Sequence, residues 1–162
     1  MLASVFSILL AFLQTAQTGT VVGVVKLPDS GASIEGARIA LLSPKYTEVW
    51  NKQVQTRLDN YWEIFKPDFA VKKERFVEFE RLAQVEAFRY VTLNMRRDLG
   101  DSAMKFMQES STNGQFEFSH VPFGTYQILV NATMRGQEIV WSKAVDVQSE
   151  IPIFVDLGKP VS

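Results

Sequence analysis

Apolar and polar positions alternate with a period of two at both ends of the chain and with a period near 3.6 in between. The first alternating block follows residue 18. Val21, Val22, Val24 and Val25 flank Gly23, a β-branched run that predicts a strand. LPDSGASIEG (27–36) is dense in turn formers and predicts a loop, and ARIALL (37–42) a second strand stopped by Ser43-Pro44. The second block begins near residue 103. AMKFMQESS (103–111) predicts a third strand, and Asn113-Gly114 a hairpin turn, because both residues accept positive φ. QFEFS places Phe116 and Phe118 on one face, VPFG interrupts, and TYQILVNA resumes with Tyr126, Ile128 and Val130 on one side. QEIVWSKAVDVQ and IPIFVDL predict two further strands. Seven short strands with turns between them predict an antiparallel β-sandwich, whose two sheets share one core.

The middle of the chain reads differently. Trp50, Val54, Leu58, Tyr61 and Phe65 recur at steps of three and four, which predicts one helix over 46–66, capped by Thr47 and ended at Pro67. A second helix is predicted over 68–100. Asp68 serves as its N-cap and Gly100 as its stop. Its stripe runs through Phe69, Phe76, Phe79, Ala83, Ala87 and Tyr90, broadened by Val85, Phe88 and Met95. The expected fold class is therefore mainly β, a seven-stranded sandwich over 17–162 with an inserted αα-hairpin over 45–101. The hairpin's apolar faces are expected to pack on each other and on one sheet. Trp62 lies off the main stripe and is expected at the surface. Trp50, Tyr61 and Trp62 are the candidate partner-binding residues, since Trp and Tyr are favoured at interface hot spots. Core packing explains the same rings equally well.

Four phrases carry a likeness: GTVVGVV (19–25), GARIAL (36–41), NGQF (113–116) and PFGTY (122–126). Taken in this order they resemble the carboxypeptidase regulatory-like domain, over a little more than half the chain. That resemblance implies a prealbumin-like β-sandwich and a non-catalytic accessory or binding role outside the cytoplasm. Members of that family usually have a short connection where this chain has about sixty residues, so the helical insert is a departure.

Composition narrows the function classes. The chain has 162 residues, no cysteine, a formal net charge of −1 and a pI near 5.9. Disulfides and thiolate chemistry are excluded, and no global field draws the chain to nucleic acid. VFSILLAFL (5–13) followed by small polar residues has the layout of a bacterial-type signal peptide over 1–16, although no Lys or Arg precedes it. It is too short to span a bilayer. Cleavage would follow Ala16 or Thr18, leaving a secreted or periplasmic protein that is not integral to the membrane. A buried N-terminal helix or strand is the alternative.

Candidate chemistry is sparse. His120 is the single histidine, whereas a zinc site takes three or four ligands. No G-x-S-x-G elbow and no phosphate-binding glycine loop occurs. No cofactor is expected. Asn131-Ala132-Thr133 fits the glycosylation sequon. The expected function is a binding or scaffold module for a protein or cell-envelope component. A carbohydrate-binding module using Phe123 at a loop tip is the alternative, and a small hydrolase is the weakest reading.

Overall fold

The computed structural model describes residues 16–27 and 30–158, and the backbone alone for 68–71. The proposed signal sequence lies almost wholly outside these residues. Seven strands and two long helices occur among them: β1 (Thr18–Val25), β2 (Arg38–Leu42), α1 (Pro44–Val71), α2 (Lys73–Leu99), β3 (Met107–Glu109), β4 (Gln115–Pro122), β5 (Gly124–Met134), β6 (Gln137–Val147) and β7 (Ile153–Leu157). The strands form two sheets, ordered β4-β1-β7 and β3-β2-β5-β6. The two long helices hold 55 residues and the seven strands 51, so "mainly β" describes the strand framework and not the residue count.

One core lies between the sheets. Val21, Phe116, Phe118, Val155 and Leu157 face Ile39, Leu41, Ile128, Val130 and Trp141 across it. Phe116 and Phe118 bury while Gln115 and Glu117 stay exposed, as their alternation predicts. Gly23 is required where β7 and Phe116 close in, because a Cβ there would sit 2.3 Å from the Val155 carbonyl oxygen.

A second core lies on the other face of the four-stranded sheet. Ala40, Leu42, Leu129 and Val140 meet Tyr46 of α1 and Val85, Phe88, Val91 and Met95 of α2. This explains why RIALL reads as an unbroken apolar run. Ile39 and Leu41 enter the first core, whereas Ala40 and Leu42 enter the second.

Several expectations are corrected. The strand pairing is not antiparallel throughout: β1 pairs with β7 in parallel, Val21 opposite Ile153. The chain leaves the four-stranded sheet after β6 and returns beside β1 in the other, so β7 is free to take β1's direction. Asn113-Gly114 makes a tight turn, with the Gly114 N–H donating to the Ser111 oxygen at 2.7 Å, but it does not close a hairpin. β3 pairs with β2 and β4 with β1, so the turn carries the chain from one sheet to the other. Residues 100–105 form a 3₁₀ turn that buries Ala103, which leaves only Met107–Glu109 as strand.

The helix ends also differ. α1 begins at Pro44, whose fixed φ suits the first helical position, so Thr47 lies inside the first turn and does not cap it. Pro67 is carried within α1, and the break comes at Lys72, which adopts extended geometry. Asp68 therefore lies within α1 and not before α2. Proline at 67 costs a single backbone hydrogen bond, which the last turn can lose without unwinding. Gly100 does end α2, at φ 55°. The expected stripe on α2 holds in part. Ala83, Ala87, Val85, Phe88 and Met95 are buried, whereas Phe76 and Tyr90 are about 40% exposed. The sheet captures the face that is richest in large side chains near the C-terminal half of α2. No helix among the described residues is long and apolar enough to cross a membrane.

Candidate functional site

The expected partner residues separate along the hairpin. Trp50 is half-buried against the second core, and its indole N–H is enclosed without a hydrogen-bond partner. Tyr61 lies between the helices, with its ring centroid 4.9 Å from that of Phe79. Burial pushes the Tyr61 hydroxyl's pKa above its ordinary value, and the neighbouring Glu86 carboxylate, hydrogen-bonded to it, pushes it further. Glu86 is itself paired with Arg57 at 2.7 Å. Trp62 is 43% exposed. The three rings therefore do not form one surface: Trp50 and Tyr61 pack inward, and Trp62 faces solvent. Phe123 is partly buried against the inter-sheet core, its N–H donating to the Gln17 oxygen at 3.0 Å.

The hairpin outruns the sheet. At 1.5 Å per residue α2 is about 40 Å long, and its contribution to the second core begins only at Val85. Toward the outer end the helices hold each other, with Phe65 stacked on Phe79 at 4.6 Å. Ile64 and Val77 are 67% and 65% exposed there, in addition to Trp62 and Phe76. Ile64 and Val77 carried no signal in the sequence, because each lies off its helix's apolar stripe.

A cleft of about 560 Å³ opens on the other side of α2, between that helix and β3. Phe88 and Met107 floor it, and Arg38, Arg89 and Arg96 stand around it. Behind it is an ion-pair hub. Glu138 pairs with Arg38 at 2.6 Å and also with Arg89. Arg38 donates to the buried Asn131 amide oxygen through Nε at 3.1 Å and lies over the Phe88 ring. Arg81 donates to the Glu138 backbone oxygen at 2.6 Å. The hub thus ties α2 to β2, β5 and β6. Arg38 lies 93 and 100 residues from its partners, and Arg89 and Arg81 lie 49 and 57 from Glu138, so no local pattern announces the hub. The sequon asparagine is consumed by this contact. Asn131 is only 3% exposed, which closes it to a glycan in the folded chain.

His120 is exposed, at φ 56°, where β4 bulges against β1 between the Gly19 and Val21 pairings. No group of three or more His, Asp or Glu positioned to hold a metal ion occurs among the described residues. Asp98 is held ionised, its pKa lowered chiefly by a hydrogen bond from Lys45 and next by one from Arg97.

No protein-family model matches the chain, and no curated protein matches it. Among solved structures it is similar to a candidate carbohydrate-binding protein of Pseudomonas aeruginosa, at 19% identity and a TM-score of 0.42, over 90% of this chain and 91% of that one. It is also similar to the major pilin subunit of Bacillus cereus, at 12% identity and a TM-score of 0.42, over 88% of this chain. A third likeness is to the pilus backbone protein of Streptococcus pneumoniae, at 13% identity and a TM-score of 0.36, over 81% of this chain. The chain spans about a third of the length of each pilin, 30% and 34%.

Proposed function

We propose that the chain is a non-catalytic binding module of the cell envelope, secreted or periplasmic, that takes a protein partner at the outer end of its helical hairpin. The frame is read as a seven-stranded, prealbumin-like sandwich of the carboxypeptidase regulatory-like kind. In support, the four phrases fall on β1, on the entry to and most of β2, on the turn into β4, and on the β4–β5 junction. The observation that carries the reading is the exposure of Trp62, Ile64, Phe76 and Val77 where the hairpin runs past the sheet. Large apolar side chains held on a rigid helix pair contribute to association at little ordering cost. Phe123, packed on the core, supports a protein partner over a sugar, which needs an open aromatic platform.

The test compares capture from envelope extract by the purified chain, by an Ile64→Lys/Val77→Lys variant, and by a Phe154→Lys control on the far sheet. All three positions are exposed, so folding should persist. The reading expects a species captured by parent and control, lost with the hairpin variant, whose complex slows hydrogen exchange within 60–80. The same captured set from all three proteins would overturn it.

A further inference from the structure

The edge of the four-stranded sheet carries a second feature. β3 ends that sheet, and no strand among the described residues pairs with its outer side. Its hydrogen bonds to β2 run through alternate residues. The Leu41 N–H donates to the Phe106 oxygen at 2.8 Å, and the Ser110 N–H to the Ala37 oxygen at 2.9 Å. The alternation of an antiparallel ladder therefore turns the peptide groups of Met107 and Glu109 away from β2. Each offers one donor and one acceptor to whatever lies beside it.

The cleft against α2 lies along this edge. Arg89, Leu93 and Arg96 line it from the helix, and Met104 from the 3₁₀ turn. Leu93 and Met104 are 63% and 61% exposed, so both can meet an apolar side chain laid along the cleft. Three arginines line the cleft against one carboxylate, Glu109. Glu138 engages Arg38 and Arg89 from behind, whereas Arg96 has no ion-pair partner among the described residues. Arg89 and Arg96 are seven residues apart on α2, hence about 10 Å along its axis, with Leu93 between them on the same face. In an extended peptide, side chains on one face recur every second residue, and the first and fifth are about 13 Å apart. Flexible arginine side chains absorb the difference.

We propose that β3 accepts an extended segment of another protein as an added strand. That segment carries a Glu-x-Leu-x-Glu pattern, its carboxylates meeting Arg89 and Arg96 and its leucine meeting Leu93 and Met104. Main-chain hydrogen bonds to Met107 and Glu109 supply affinity, and the side-chain pattern supplies selection. The inference deepens the reading of the chain as a binding module and does not depend on the hairpin's outer end.

The probe is a capped, fluorescein-labelled peptide, Thr-Glu-Thr-Leu-Thr-Glu-Thr, followed by fluorescence anisotropy with the full chain. Saturable binding is expected. Exchanging both Glu for Lys, or N-methylating the alternate residues whose N–H groups pair with β3, should weaken it about tenfold or more. Arg96→Glu should do the same. Glu109→Pro should also weaken binding, since it removes an outward N–H and none of the ladder bonds to β2. The Ile64→Lys/Val77→Lys chain should bind as the parent does, which separates failure here from failure at the hairpin. Any one of three results overturns the proposal: no saturation at millimolar peptide, equal binding of the N-methylated or lysine peptide, or parent-like binding by folded Arg96→Glu. Dimerisation of the chain that Arg96→Glu abolishes, without peptide binding, would overturn it in favour of a second copy as occupant.

Discussion

Excising the hairpin tests whether the helices and the two sheets are one cooperative unit. Residues 44–105 can be replaced by a four-residue Gly-Ser linker without straining the frame. The Leu41 N–H already bonds the Phe106 oxygen at 2.8 Å, so the cut ends are neighbours and a short hairpin loop closes them. Loop closure is therefore not the obstacle; uncovered surface is. Leu42, Leu129 and Val140 are at most 6% exposed, Met107 is 7% exposed, and all four belong to the core that the helices complete. Each such side chain contributes about 1.5–3 kcal/mol when buried, so the four together lose about 6–12 kcal/mol. That matches the whole stability of a typical domain, about 5–15 kcal/mol. The excised chain should lose its cooperative urea transition. Trp141 is the reporter: the chain has three tryptophans, and excision removes Trp50 and Trp62. Trp141 sits in the inter-sheet core, donating its indole N–H to the Leu157 oxygen at 3.2 Å. A second version with Leu42, Met107, Leu129 and Val140 all changed to Thr should regain a cooperative transition, because threonine keeps the strand preference while accepting water. An excised chain without those four changes that unfolds within about 1–2 kcal/mol of the parent would refute the reasoning.

Two smaller perturbations follow from single contacts. Gly114→Ala places a Cβ 2.4 Å from the Val25 carbonyl oxygen at φ 72°, whereas Gly136→Ala at φ 79° meets nothing within 4 Å. Both should destabilise by about 1–3 kcal/mol for the backbone, with Gly114→Ala clearly worse; equal denaturation midpoints would show that the sheet-crossing turn yields freely. Asp98 has a lowered pKa, so its contribution is complete above the unfolded value of about 3.9 and is lost as pH falls through the lower folded value. Asp98→Asn should flatten the acid limb of the stability profile below the ordinary carboxylate range. An acid limb unchanged by the substitution would remove the Lys45 contact from the account.

Much of the framework was legible because it rests on local periodicity. Phe116 and Phe118 alternate with polar neighbours, and any packed sheet must bury that face. Gly100 stops α2 because its positive φ is a property of the residue itself. Side chains spaced at 3.6 could only make helices between Ser43 and Gly100. Pairing was less legible. Asn113-Gly114 promises a turn, but whether the strands on either side of a turn meet depends on partners far away. Here β2 claimed β3 and β1 claimed β4.

Tertiary structure alone decided which part of the α2 stripe the sheet takes, where the hairpin breaks, and what stays uncovered. That Phe76 and Tyr90 stay exposed while Val85, Phe88 and Met95 are buried depends on the outer face that β2, β5 and β6 present together, and no window of the sequence contains that face. The Glu138 hub and the arginine-lined edge of β3 have the same origin. Period and turn chemistry act within about ten residues, so they determined the elements. Burial, register and charge pairing act between elements that meet only after folding, so they determined which surfaces stay open.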